Sequence, residues 1–159
     1  MRLTLYTDYA MRVLLFLGAQ DDGLSSIADI AAAYDISRNH LMKVVQDLGR
    51  AGFVETVRGR SGGVRLARPA EQIRLGDVLR TTEDSFKLID CGDCLIQPAC
   101  TLPRVLNEAT AAFLDVFDRY TLADLLSGRA RMRGLFGLDE GPVPRAPRME
   151  VRRLAADEG

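Results

Sequence analysis

The stretch SSIADIAAAYDISRNHLMKVVQDLGRAGFVETVRGRSGGVRLAR, residues 25–68, decides the fold of this chain. It divides into four pieces. Residues 25–34 open on serines suited to an N-cap and place Ile27, Ile30 and Ala31 at helical spacing, which predicts a short helix. Asp35 and Ile36 form a tight connection. Ser37 offers a second N-cap, Leu41, Val44, Val45 and Leu48 mark one apolar face, and Gly52 supplies a stop, so a second helix is expected. Alternation in FVETVRG and again in GVRLAR, joined through a glycine-rich tip, reads as a two-stranded hairpin. Two helices, a tight turn and a basic hairpin make a winged helix-turn-helix, mainly α with a small β wing.

Such a unit is built for DNA. The second helix of the pair enters a major groove, and side chains at its N-terminal end reach base edges. Arg38, Asn39 and His40 occupy that end and Lys43 follows one turn later. Arginine suits guanine and asparagine suits adenine. At the wing tip, Arg58, Arg60 and Ser61 can reach phosphates or a minor groove, and Gly62 and Gly63 permit close backbone approach. The competing reading is a winged helix used to bind protein, its RGRSGG an ordinary hairpin turn. His40 is the only histidine, and an exposed helical position suits a surface or phosphate contact better than a metal ligand.

Charge is segregated along the chain. The net charge of −1 says little about partners. Residues 36–68, however, hold seven Lys or Arg against two acids, a balance of +5, whereas residues 81–127 hold three bases against eight acids, a balance of −5. At 159 residues and 47% hydrophobic composition, one core needs no disulfide staples. The first seventeen residues carry Asp8 and Arg12 and lack a cleavage site, and no run approaches the roughly 20 apolar residues of a membrane span. A cytoplasmic protein is expected, with no membrane partner. No nucleophile-base pair, phosphate loop or acid pair suggests an enzyme.

Around the winged unit, residues 3–19 read as a helix beginning after Thr7, with Met11, Leu14, Leu15 and Leu17 facing the core. Residues 75–82 read as a short helix burying Leu75, Val78 and Leu79. In residues 102–120 an apolar stripe runs from Leu102 through Leu106, Phe113 and Phe117 to Tyr120, over about five turns. A helix this long needs a partner for that face. A second copy of the chain is the simplest, and a dimer would also present two recognition helices to a palindromic operator in double-stranded DNA. Thr121 to Gly128 form one more short helix. The expected organisation is a DNA-binding domain at 1–83, a loop at 84–101, a dimerisation helix and short helix at 102–128, and a mostly disordered, proline-rich and charged tail at 129–159.

The loop holds every cysteine of the chain, Cys91, Cys94 and Cys100, in the pattern Cys-x2-Cys-x5-Cys. Reduced thiols grouped this closely point to metal or redox chemistry rather than to a structural bridge. Thiolates ligate both zinc and iron-sulfur clusters, and spacing alone does not choose between them; a redox pair of Cys91 and Cys94 is a third possibility. Cys100 lies just before the long helix, whose N-terminal amides favour a thiolate. A fourth ligand is missing locally.

The segments LTLYTDYAMR, SRNHLMKVV, RAGFVETVRGRSGGVRLARPA, IRLGDV, QPACTL and YTLADL, spread over residues 1 to about 136, resemble the bacterial winged-helix transcription regulators that carry iron-sulfur clusters. TDYA, SRNH and PAC are most similar to the nitric-oxide-sensing branch. The resemblance implies a homodimeric repressor whose cluster, 4Fe-4S with 2Fe-2S as the alternative, is held by Cys91, Cys94 and Cys100 of one subunit and Asp8 of the other. Asp8 has a plainer reading too, because an acid in a helix's first turn stabilises the helix dipole. Pro103 stands where the cluster-assembly branch has a histidine, which argues against that branch, and the gap between the first two cysteines is shorter than is usual in the family. VRGRSGGVRL and TEDSF resemble the iron-responsive branch, so a regulator of iron or cluster status is the alternative, and a zinc-stabilised interaction protein is a third reading.

Overall fold

The computed structural model describes residues 2–20, 23–59 and 62–138. Seven α-helices and one hairpin make up this part of the chain: α1 Leu5–Ala19, α2 Ile27–Tyr34, α3 Arg38–Arg50, β1 Val54–Val57, β2 Gly63–Leu66, α4 Leu75–Thr82, α5 Leu102–Asp118, α6 Leu122–Leu125 and α7 Arg129–Phe136. The fold is the expected one, mainly helical with a small antiparallel wing.

Local chemistry places the boundaries. α2 opens on a capping box, with the Ser26 hydroxyl accepting from the Asp29 amide and the Asp29 carboxylate accepting from the Ser26 amide. It ends at Asp35 in the left-handed region, φ 55°. Ser37 sits at the N-cap position of α3, although its side chain makes no capping bond. The turn after α3 reverses through Gly52, φ +74°, with the Phe53 amide donating to the Leu48 carbonyl at 2.9 Å. In the wing, Val54 faces Leu66 and Val57 faces Gly63. Ser25 exchanges hydrogen bonds of 3.0 and 2.8 Å with Val64, so the segment before α2 is tied to the wing.

The core lies where α1, α2, α3 and the wing meet. Leu41, Val44, Val45 and Leu48 are all buried, as their spacing required, and Leu75, Val78 and Leu79 of α4 are buried as well. On α1 the buried residues include Val13, Leu14, Phe16 and Leu17, whereas Met11 and Leu15 are half-buried.

Two expectations need correction. The first helix begins one turn earlier than the sequence suggested: Thr4, not Thr7, is its N-cap and accepts from the Thr7 amide at 3.2 Å. Thr7 is buried because its hydroxyl is used elsewhere, donating to the Glu83 carboxylate at 2.5 Å. The tail also starts later than residue 129. α7 packs Phe136 against Phe16 and Tyr34, with ring centroids 5.0 and 5.3 Å apart. Arg129 and Arg133 donate to the Ala19 carbonyl at 3.2 and 3.3 Å, satisfying a carbonyl left over at the C-terminal end of α1. The rest of the expected tail, from residue 139, lies outside the described residues.

The chain returns to the core after α5. Leu122 is buried, its amide donates to the Ile73 carbonyl at 2.8 Å, and the Leu75 amide donates to Tyr120 at 3.0 Å. α5 itself buries no residue.

Candidate nucleic-acid interface and cysteine loop

The amphipathic pattern of α3 turns Leu41, Val44, Val45 and Leu48 inward and leaves Arg38, Asn39, His40 and Lys43 exposed. Four candidate contacts therefore share one exposed surface at the start of the helix. Met42 joins them, 53% exposed and apolar, a residue the sequence reading passed over although an apolar side chain on the polar face of a groove-binding helix suits a thymine methyl. Among the described residues no ion pair engages Arg38, Lys43 or Arg58. Other bases of the same region are spent inside the protein. Arg50 pairs with Asp47 at 3.1 Å, Arg65 pairs with Glu55 across the wing, and Arg68 lies 4.8 Å over the Phe53 ring.

On the wing, Arg58 is exposed beyond β1. Arg60 and Ser61 lie outside the described residues. Gly62 and Gly63 have a local reason to be glycine, because a Cβ at Gly62 would strike the Val57 carbonyl and one at Gly63 would meet the Ser25 carbonyl at 2.8 Å. The tight tip and the strap to Ser25 both depend on their bareness.

Side chains of α1 back α3, and these too were missed. Tyr6 donates to the Asp47 carboxylate, the Lys43 ammonium lies 5.8 Å over the Tyr6 ring, and Tyr9 stacks on His40 with ring centroids 6.1 Å apart. Their signal in the sequence was two tyrosines three residues apart in the first turns of an otherwise largely aliphatic helix. Burial, reinforced by the Asp47 carboxylate, pushes the Tyr6 phenol above its ordinary value, so it stays protonated and keeps donating.

The cysteine loop runs from the end of α4 to the start of α5 with a single 3-10 turn at Gln97–Ala99. Cys91 and Cys100 are half-buried, Cys94 is exposed, and all three are free thiols. The Gly92 amide donates to Asp90 at 3.0 Å and the Gln97 amide to the Cys94 carbonyl at 3.0 Å. Leu95 is 95% exposed at the loop's crest. Thr101, the N-cap residue of α5, makes no side-chain cap bond, Pro103 in the first turn carries no amide hydrogen, and the Arg104 amide donates to the Thr101 carbonyl at 3.1 Å.

At the root of the loop, Glu83 gathers the start of α1. Its carboxylate accepts from the Thr4 amide at 2.8 Å, the Thr4 hydroxyl at 3.0 Å and the Thr7 hydroxyl at 2.5 Å. Burial opposes ionisation there, but the hydrogen bonds from Thr7 and Thr4 outweigh it and hold the acid below the ordinary carboxylate range.

Asp8 occupies the first turn of α1 and pairs with Arg12 at 2.9 Å, and the Arg12 guanidinium lies 5.5 Å over the Tyr34 ring of α2. Within this one chain the expected ligands are not brought together: no group of three or more His, Cys, Asp or Glu able to hold a metal is assembled among the described residues. No helix among them is long and apolar enough to cross a membrane.

Comparison with known proteins agrees with this architecture. The HTH-type transcriptional regulator NsrR of Bacillus subtilis is 50% identical over 146 residues, covering 88% of this chain and 100% of the relative. The NsrR of Bacillus licheniformis is 49% identical over 141 residues, covering 85% and 99%. Among solved structures, IscR of T. potens superposes with a TM-score of 0.68 at 26% identity, covering 84% of this chain and 91% of that one. The model of the Rrf2 family, described as iron-dependent transcriptional regulators, matches residues 3–128. The chain therefore belongs to the Rrf2 family of DNA-binding transcription regulators and is not an enzyme.

Proposed function

We propose that this regulator is a homodimeric repressor that senses nitric oxide through an iron-sulfur cluster, 4Fe-4S, held by Cys91, Cys94 and Cys100 of one subunit and the partner subunit's Asp8. One observation carries the reading: three free thiols lie within ten residues of one another on a loop outside the core, beside a helix that buries none of its residues. The donor chemistry fits, since grouped thiolates are the usual ligands of such clusters and a carboxylate supplies the hard fourth donor. The gathering of that set requires two chains. On α5 and just beyond its end, Leu102, Val105, Val116 and Tyr120 are each between 43% and 51% exposed, an apolar stripe that a second copy would cover. The protein is placed in the cytoplasm, where the thiols stay reduced.

A bound cluster supplies thiolate-ligated iron that reacts with nitric oxide. The chain's own part is mechanical. As a ligand Asp8 would leave Arg12 and tie the first turn of α1 to the partner's loop, and freed of that role it would keep the pairing with Arg12 seen here, so that α1 would no longer set the two α3 helices for a palindromic operator. Arg38, Asn39, His40 and Lys43 read the major groove, while Arg58, Arg60 and Ser61, with Gly62 and Gly63, place the wing on phosphates. A coupling of about 1–3 kcal/mol between the two sites suffices for such a switch.

Anaerobically purified protein should contain iron and sulfide, and substoichiometric nitric oxide should release it from its operator. A colourless preparation with stoichiometric zinc that binds DNA unchanged would overturn the reading. The family description favours a second reading, response to iron status. Release by an iron chelator but not by nitric oxide would select it.

A further inference from the structure

Besides the apolar core they share, α1 and α3 are joined by polar and ring contacts from Tyr6 and Tyr9, which flank Asp8 in sequence. Their partners His40, Lys43 and Asp47 lie at spacings of three and four residues, which puts all three on one stripe of α3 facing α1. The stripe begins at the end of the helix that reads bases. The stack at His40 is close to parallel, 22° between ring planes, so it fixes the imidazole's direction as well as its place. Tyr6 holds the Asp47 carboxylate, which also takes Arg50 at 3.1 Å, so the one acid of the recognition helix is occupied on the protein side rather than facing phosphate.

We infer that Tyr6 and Tyr9 are positioning residues for sequence reading: they clamp α3 onto the first turns of α1, and the Tyr9 stack aims His40 at one base step of each half-site. The turn that carries them is anchored elsewhere too. Thr7, between them, is fastened to Glu83 at the root of the cysteine loop. A shift in the first turn of α1 thus reaches α3 through these two side chains as well as through the core the helices share.

The inference rests on the reading of α3 as the recognition helix, and the experiment separates the two. Wild-type protein selects its preferred operator from a random duplex library. Binding to that operator and to an unrelated duplex of equal length is then measured for Arg38→Ala, Tyr6→Phe, Tyr9→Leu and Tyr9→Phe, with thermal unfolding as a check on folding. Tyr6→Phe loses one hydroxyl, and Tyr9→Leu loses the ring. Each should weaken operator binding about fivefold, the equivalent of one hydrogen bond, and leave the unrelated duplex unchanged. Tyr9→Phe keeps the ring and should restore binding. Repeating the selection with Tyr9→Leu should blur the same base position that His40→Ala blurs. Equal losses on both duplexes, or operator binding and base preference unchanged in the folded Tyr6→Phe and Tyr9→Leu variants, would overturn the clamp. An Arg38→Ala variant with undiminished operator preference would instead sink the reading of α3 itself.

Discussion

The Arg80 guanidinium grips the Asp118 carboxylate through two hydrogen bonds, at 2.6 and 2.7 Å, and so fastens α4 to the far end of α5. The charge-assisted pair raises the affinity of Arg80 for its proton and lowers that of Asp118. Gly76 makes room for it: a Cβ there would strike the Asp118 carboxylate and come within 2.8 Å of the Arg80 guanidinium. Both are ends of part-exposed side chains, so Gly76→Ala should displace a surface ion pair that adds little to stability, while alanine returns a similar amount in helix propensity, and urea denaturation should change by less than about 1 kcal/mol. Gly128→Ala, where a Cβ meets nothing within 4 Å, should stay within about 0.5 kcal/mol of wild type.

Cys94 is exposed on a loop that adds nothing to the buried core. Cys94→Ser should abolish iron retention, read by absorbance and iron analysis. In metal-free protein the same change should leave unfolding within about 0.5 kcal/mol of wild type. A large loss of stability in metal-free protein would make the loop a structural element.

Phe136 joins α7 to the core through its contacts with Phe16 and Tyr34. Truncating a fully buried phenylalanine costs about 3–5 kcal/mol, and Phe136 is only half-buried, so Phe136→Ala should cost less than that while remaining measurable in urea.

Glu83 has a lower proton affinity folded than unfolded. Protons therefore favour the unfolded chain. The stabilisation is complete above the ordinary glutamate value of about 4.3 and disappears as pH falls through the folded-state value below it. The stability gap between wild type and Glu83→Gln should accordingly be wide at pH 7 and narrow on acidification below pH 4, when followed by denaturant titration at each pH.

Much of this was legible in the order of residues. The Ser26 capping box, four apolar positions at helical spacing in α3, the glycine stop and the alternating hairpin are local signals, and each fixes its element through interactions close in sequence. The grouping of Cys91, Cys94 and Cys100, and of Arg38, Asn39 and His40, was visible for the same reason. α7 was not, because RARMRGLF carries a weak apolar pattern and is held by distant carbonyls at Ala19 and Gln20. Nor was the N-cap of α1, because Thr4 and Thr7 look equally suited in sequence and only the folded backbone sets the Thr4 hydroxyl to accept from the Thr7 amide.

By itself, then, the chain of residues determined which segments are helix or wing and which side chains gather at the start of α3 and in the thiol loop, since periodicity and caps act at short range. Tertiary structure alone decided which polar groups meet across elements: Tyr6 with Asp47, Tyr9 with His40, Thr7 with Glu83, Arg80 with Asp118. Those pairs lie between 31 and 76 positions apart along the chain, and only the packing of one helix on another brings their atoms within bonding or stacking distance.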